Sequence, residues 1–164
     1  MAPNSGTASS PAHAENYEVV RDGYTVSTAR ERLDLDLVHR VLSQELYWAI
    51  GMPRAMFERA VVHALPFGLY GPDGAQRGFA RVTTDRATYA HLQDVFILDG
   101  ERGRGLGQIL LDALFAHPDL QGLRRWTLVT RDAHALYARY GFVPLDDSKT
   151  WMHRHDPDAY QRGQ

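Results

Sequence analysis

Tyr89-Ala-His-Leu-Gln-Asp-Val-Phe-Ile-Leu98, Asp99-Gly-Glu-Arg-Gly-Arg-Gly-Leu-Gly107 and Gln108-Ile-Leu-Leu-Asp-Ala-Leu-Phe-Ala116 follow one another without a break through the middle of the chain. The first segment is aromatic and β-branched and too apolar at its C-terminal end to face water, which predicts a buried strand. The second is a basic loop punctuated by glycines. The third places Leu106, Ile109, Leu110, Ala113 and Leu114 at i, i+3, i+4, i+7 and i+8, one face of a helix. Strand, glycine loop and helix together make an anion cradle. The first turn of a helix carries unpaired N–H groups and a partial positive charge. Glycines at 103, 105 and 107 let the backbone approach an anion closely, and Arg102 and Arg104 add formal charge. The expected occupant is a phosphorylated cofactor.

Spacing narrows the cofactor. A dinucleotide fingerprint requires G-x-G-x-x-G with an acidic residue about 20 positions on. Here the glycines run G-x-G-x-G, and Gln121 to Arg125 is basic. A nucleoside-triphosphate loop requires G-K-[S/T], and the single lysine, Lys149, lies far away. Arg102-Gly103-Arg104-Gly105-Leu106-Gly107 instead resembles the R/Q-x-x-G-x-G/A pyrophosphate loop of the GCN5-related N-acetyltransferases. Asp132 to Phe142 resembles that family's A-x-x-x-Y-x-x-x-G-F helix, in the expected order downstream. The resemblance covers roughly residues 66–145.

The resemblance implies an α/β fold: a mixed central sheet, antiparallel N-terminal strands, a parallel pair splayed around the cofactor, and about four flanking helices. It implies acetyl-CoA as cofactor. Val95, Phe96 and Ile97 would run beside the pantetheine arm, and Arg102, Gly103, Arg104, Gly105, Leu106, Gly107 and Gln108 would hold the diphosphate. Tyr137 would face the cofactor sulfur as proton donor. Thr130, at the position where the family often has asparagine, would also contact the cofactor by resemblance, although the substitution puts a side-chain amide contact in doubt; Thr130 or Asp132 can cap the helix instead.

Composition sets the bounds. A chain of 164 residues, 44% hydrophobic and 23% charged, can bury the core of one domain. A net charge of −2 argues against a nucleic-acid footprint over the whole surface. Without cysteine there is no disulfide framework, thiolate zinc site or cysteine nucleophile. No apolar run reaches membrane-spanning length, and a cytoplasmic location is expected. Residues 1–16, rich in Ala, Ser, Pro and Gly, read as a disordered extension, 17–155 as a single acetyltransferase domain and 156–164 as a polar tail.

Within the domain, Tyr24 to Thr28 alternates as a strand. Asp34 is placed to cap a helix whose apolar face includes Leu35, Val38 and Leu42. Pro53 suits the first turn of a second helix, with Met56, Phe57, Ala60, Val61 and Ala64 as its buried stripe. Segments 66–70 and 78–83 read as a hairpin around Gly71-Pro72-Asp73-Gly74. Residues 125–130 predict a buried strand parallel to the central one, and 142–145 with 151–153 a final strand pair. The two helices after the first strand would supply the acceptor wall by resemblance, with Tyr47, Trp48, Met52 and Arg54 as candidates against ordinary aromatic packing.

Acetyl transfer from a thioester to an amine requires a held cofactor, a deprotonated amine, a stabilised oxyanion and a proton for the thiolate. Direct attack needs no protein nucleophile. The base is left open among His91, Asp94, Tyr89 and a water relay. Alternation counted back from Ile97 puts His91 and Tyr89 on one face with Val95, and Asp94 on the other, unless a bulge intervenes. A backbone N–H near Phe96 or Ile97 would serve the oxyanion if the parallel strands splay. Arg124, Arg125 and Arg131 are candidates for the cofactor's phosphates, with surface arginines the favoured reading, and His153-x-His155 lacks the further ligands of a metal site. The reading is an acetyl-CoA-dependent N-acetyltransferase for a primary amine on a small molecule or protein. Its rivals are a non-catalytic acyl-CoA-binding module and a partner-binding domain that uses Tyr47 and Trp48. Homodimer formation is common in such folds, but no stretch of this sequence specifies it.

Overall fold

The computed structural model describes residues 16–145 and 148–162. The predicted extension therefore lies outside the described residues, except for position 16. One six-stranded sheet runs in chain order: β1 Glu18–Arg21, β2 Tyr24–Ser27, β3 Leu65–Tyr70, β4 Gln76–Thr84, β5 Tyr89–Ile97 and β6 Arg125–Leu128. The first five are antiparallel neighbours, and β5 and β6 are parallel. β1 was not expected from the sequence. It is joined to β2 by Asp22 and Gly23, both at positive φ, the backbone that Asp-Gly favours in a two-residue hairpin turn.

Among the described residues four α-helices flank the sheet: α1 Leu35–Gln44, α2 Arg54–His63, α3 Leu106–Phe115 and α4 His134–Ala138. Asp34 caps α1 as expected, its carboxylate accepting from the Leu37 amide at 2.9 Å. Pro53 stands immediately before α2. The predicted stripe of α3 is fully buried and packs on Phe67, Leu69, Val82, Ala90 and Leu92. On the opposite face α1 and α2 bury Val38, Leu42, Phe57 and Val61 against Phe79 and Phe96. Tyr160, in the segment read as tail, packs on this second cluster.

The two core clusters show where β5 changes face. Leu92 and Val95 both belong to the α3 side and Phe96 to the α1–α2 side. Two residues, Gln93 and Asp94, therefore intervene where regular alternation allows one. The β4 register confirms the insertion: Arg81 pairs with Gln93 and Phe79 with Phe96. Asp94 occupies the extra position at φ 55°, a left-handed backbone that aspartate tolerates better than most residues. The bulge corrects the facing inferred from alternation. Asp94 shares its face with His91 and Arg81, while Val95 and Ile97 take the other.

Beyond the bulge, β5 and β6 part. Their ladder runs only from Tyr89–Arg125 to Leu92–Leu128, so the edge of β5 from Gln93 onward has no strand partner there. The predicted final strand pair is not formed. Residues 142–145 and 151–153 carry no ladder; Pro144 removes one of the donors a ladder needs, and Phe142 packs on Phe115 and Tyr137.

His117, where α3 stops, is fully buried between Tyr17 and Phe67. Its Nδ1 accepts from the Asp119 amide at 3.1 Å, which leaves the second nitrogen protonated in the neutral ring. Burial holds His117, and likewise His91, below the ordinary imidazole range. The unfolded chain therefore takes up protons at about pH 6.5 while the folded chain resists, so stability held above that value is lost on acidification. We expect the urea midpoint to fall between about pH 7.5 and pH 5, and His117→Gln to reduce that slope.

Candidate active site

Gly103 (φ 77°) and Gly105 (φ 75°) turn the chain into α3, and a Cβ built on either meets no atom within 4 Å. The space beside these two glycines is open. The first-turn amides of Leu106 and Gly107 have no carbonyl of their own helix to bond. Arg102 pairs with Asp99 at 3.0 Å, and Arg104 pairs with Glu101. Both guanidiniums are more than half exposed, and surface pairs of this kind hold by no more than about 1 kcal/mol, so both can turn to an anion. Glu101 is also paired with Arg77 at 3.3 Å, which offsets its charge in the loop. Gln108 follows in the same first turn, with its amide bonded to the Gly105 carbonyl at 3.1 Å.

A cleft of about 760 Å³ opens where β5 and β6 diverge. Val95, Leu128, Thr130 and Tyr137 line it, together with Tyr47, Trp48, His91 and Asp94. Phe96 faces the α1–α2 core and Ile97 the α3 core, and neither lines the cleft. Thr130 accepts from the Ala133 amide at 3.1 Å and so caps the approach to α4. That bond fixes the turn that brings Tyr137 to the cleft. Tyr137 is only 8% exposed; burial, then the Asp132 charge, raises its phenol above the ordinary range and keeps it protonated.

His91 and Asp94 differ in kind. His91 is half-buried, with Nδ1 2.7 Å from Thr127 Oγ1. Desolvation and then the Arg81 charge lower its pKa, against Asp94, so the ring is neutral at neutral pH. Asp94 is buried, and both its oxygens are engaged: one by the Arg81 guanidinium, the other by Trp48 Nε1 at 3.2 Å. Arg81 also donates to Gln93 Oε1 at 3.2 Å. Of the two, the imidazole is the better placed to accept a proton. Tyr47 and Trp48 meet edge to face at 4.9 Å, and Arg131 lies 3.8 Å above the Tyr47 ring.

Two other acceptor-wall candidates lie elsewhere. Met52 is buried in the α1–α2 core. Arg54 is held at the surface by Asp36 at 2.5 Å and Glu58 at 2.7 Å. Neither lines the cleft. Conversely, Arg81, Thr127 and Tyr160 were not singled out from sequence. Arg81 did carry a signal, as a charge set between Ala80 and Val82 at the centre of a strand.

Residues 69–144 match the model of the acetyltransferase (GNAT) domain. A Gibberella zeae protein, assigned to the acetyltransferases by its name alone, is 33% identical over 141 residues, covering 73% of this chain and 78% of the relative. A Xanthomonas campestris crystal structure, described as a GNAT-family protein, is 52% identical with a TM-score of 0.81, covering 84% of this chain and 96% of that one. The chain belongs to the GNAT acetyltransferase family. A Mycobacterium tuberculosis structure in complex with CoA shares the fold of this GNAT chain at 20% identity and a TM-score of 0.58, covering 74% of this chain and 72% of that one. No helix among the described residues is long and apolar enough to cross a membrane.

The ion pair in this GNAT site allows a stability test. Arg81 and Asp94 side chains are 11% and 6% exposed, and removing one partner of such a pair strands the other. Arg81→Met should cost about 3–5 kcal/mol in chemical denaturation. Adding Asp94→Asn to that variant should recover part of the loss.

Proposed function

We propose that this chain binds acetyl-CoA and moves its acetyl group to a primary amine by direct attack. The observation that carries the reading is the open edge of β5 beyond Leu92, which leads along the chain into the glycine loop and whose Val95 lines the same cleft as Tyr137. Acetyl-CoA, when bound, supplies the acetyl group as a thioester. The amides of the 103–107 bend and the first turn of α3, with Arg102 and Arg104, fit its diphosphate. The unpaired edge of β5 at Val95–Ile97 offers backbone donors and acceptors to an amide-bearing arm. It also offers an N–H to a developing oxyanion.

The proton transfers fall to two side chains. His91, neutral at working pH, takes the proton of the acceptor amine. Tyr137 Oη, kept protonated by burial, holds the proton for the departing sulfur. Tyr47 and Trp48 form the acceptor wall, the indole fixed by its bond to Asp94. The acceptor is a small molecule or an exposed amine of a protein, and the location is cytoplasmic. No nucleic acid or membrane enters the reading.

Calorimetric titration with acetyl-CoA, followed by thiol release over a panel of amines, tests it. Saturable binding with turnover supports the reading. Absence of binding removes it, and tight binding without turnover of any amine would indicate an acyl-CoA-binding module instead.

A further inference from the structure

Tyr89, His91 and Thr127 form a cluster whose role the preceding account leaves open. Tyr89 and His91 lie two residues apart on β5, and Thr127 is the register partner of His91 on β6. One oxygen joins all three: Thr127 Oγ1 is 2.7 Å from His91 Nδ1 and 2.6 Å from Tyr89 Oη. A threonine hydroxyl has two lone pairs and one proton, so it can accept from both neighbours at once.

We propose that Thr127 is a positioning residue: its oxygen accepts the Nδ1–H of His91 and holds the ring with Nε2 unprotonated toward the cleft. The topology supports this orientation. β4 and β6 flank β5 on opposite sides, so Arg81 and Thr127 approach the imidazole from opposite sides. A guanidinium repels an N–H and attracts a lone pair, which turns the donor nitrogen to Thr127 and the bare nitrogen away from it. Tyr89, as a phenol, is the stronger hydroxyl donor and fills the second lone pair of Thr127, which keeps the threonine from rotating away. The other charged or titratable groups lining the cleft are Asp94 on β5 and, from other segments, Tyr47, Arg131, Asp132, Tyr137, His155, Asp156 and Tyr160.

The inference rests on the reading of His91 as base, and its test separates the two. Nitrogen-15 NMR of the full chain near pH 8, with His91 assigned by its loss in His91→Asn, should show the Nδ1–H tautomer in the wild type. Thr127→Val should shift it toward Nε2–H, lower kcat about tenfold with acetyl-CoA affinity unchanged and move the acidic limb of the pH profile. Thr127→Ser should restore all three. A wild-type ring carrying its proton on Nε2, or a Thr127→Val protein with unchanged tautomer and pH profile, overturns the proposal. Should the tautomer respond as described while His91→Asn keeps full turnover, the positioning contact stands and the base assignment fails.

Discussion

Replacing Gly105 with leucine should reduce acetyl-CoA affinity by at least about 100-fold in a calorimetric titration. Two effects combine. The residue sits at φ 75° as the last position before α3, where a side chain costs about 1–2 kcal/mol of backbone strain. The added atoms also extend into the space where no protein atom lies within 4 Å, which is the space assigned to the diphosphate. Gly105→Ala separates the terms. It imposes the strain with a single methyl group, so its thermal midpoint should fall about as far as that of the leucine variant while its affinity falls less. Equal affinity for all three proteins would place the cofactor elsewhere.

Tyr137→Phe should lower kcat by about 100-fold with acetyl-CoA affinity nearly unchanged, because one hydroxyl is removed and the ring stays. The ring packs against Phe142 at 6.0 Å between centroids, and phenylalanine preserves that contact, so stability should change little. The predicted split matters: a lost proton donor acts on turnover, whereas a lost packing residue would raise KM and lower the thermal midpoint together. Full activity in Tyr137→Phe would assign the proton to another source, such as water.

What was legible in the sequence was local. The α3 stripe, the glycine bend and the Asp34 cap each depend on residues within two turns of one another, and each is found as read. What was not legible depends on register. The adjacent polar pair Gln93-Asp94 leaves room for a bulge between His91 and Ile97, but nothing in an aspartate announces that it will adopt φ 55°. Once that residue is inserted, Asp94 moves to the face of His91 and meets Arg81 and Trp48, partners 13 and 46 residues away. Thr127 likewise becomes interesting only when the parallel register sets it opposite His91. Arg54 illustrates the reverse error. Its place in the chain suggested the acceptor wall, but Asp36 and Glu58 lie closer and hold it. The Asp22-Gly23 turn was a usable signal for β1.

The central claim is that the bend at 102–107 grips a diphosphate where α3 begins. A crystal structure of the full chain grown with coenzyme A tests it most directly. The account predicts the diphosphate on the backbone amides of 103–107, with the pantetheine arm beside 95–97 in the gap between β5 and β6. A vacant bend with the coenzyme bound at another surface would contradict it.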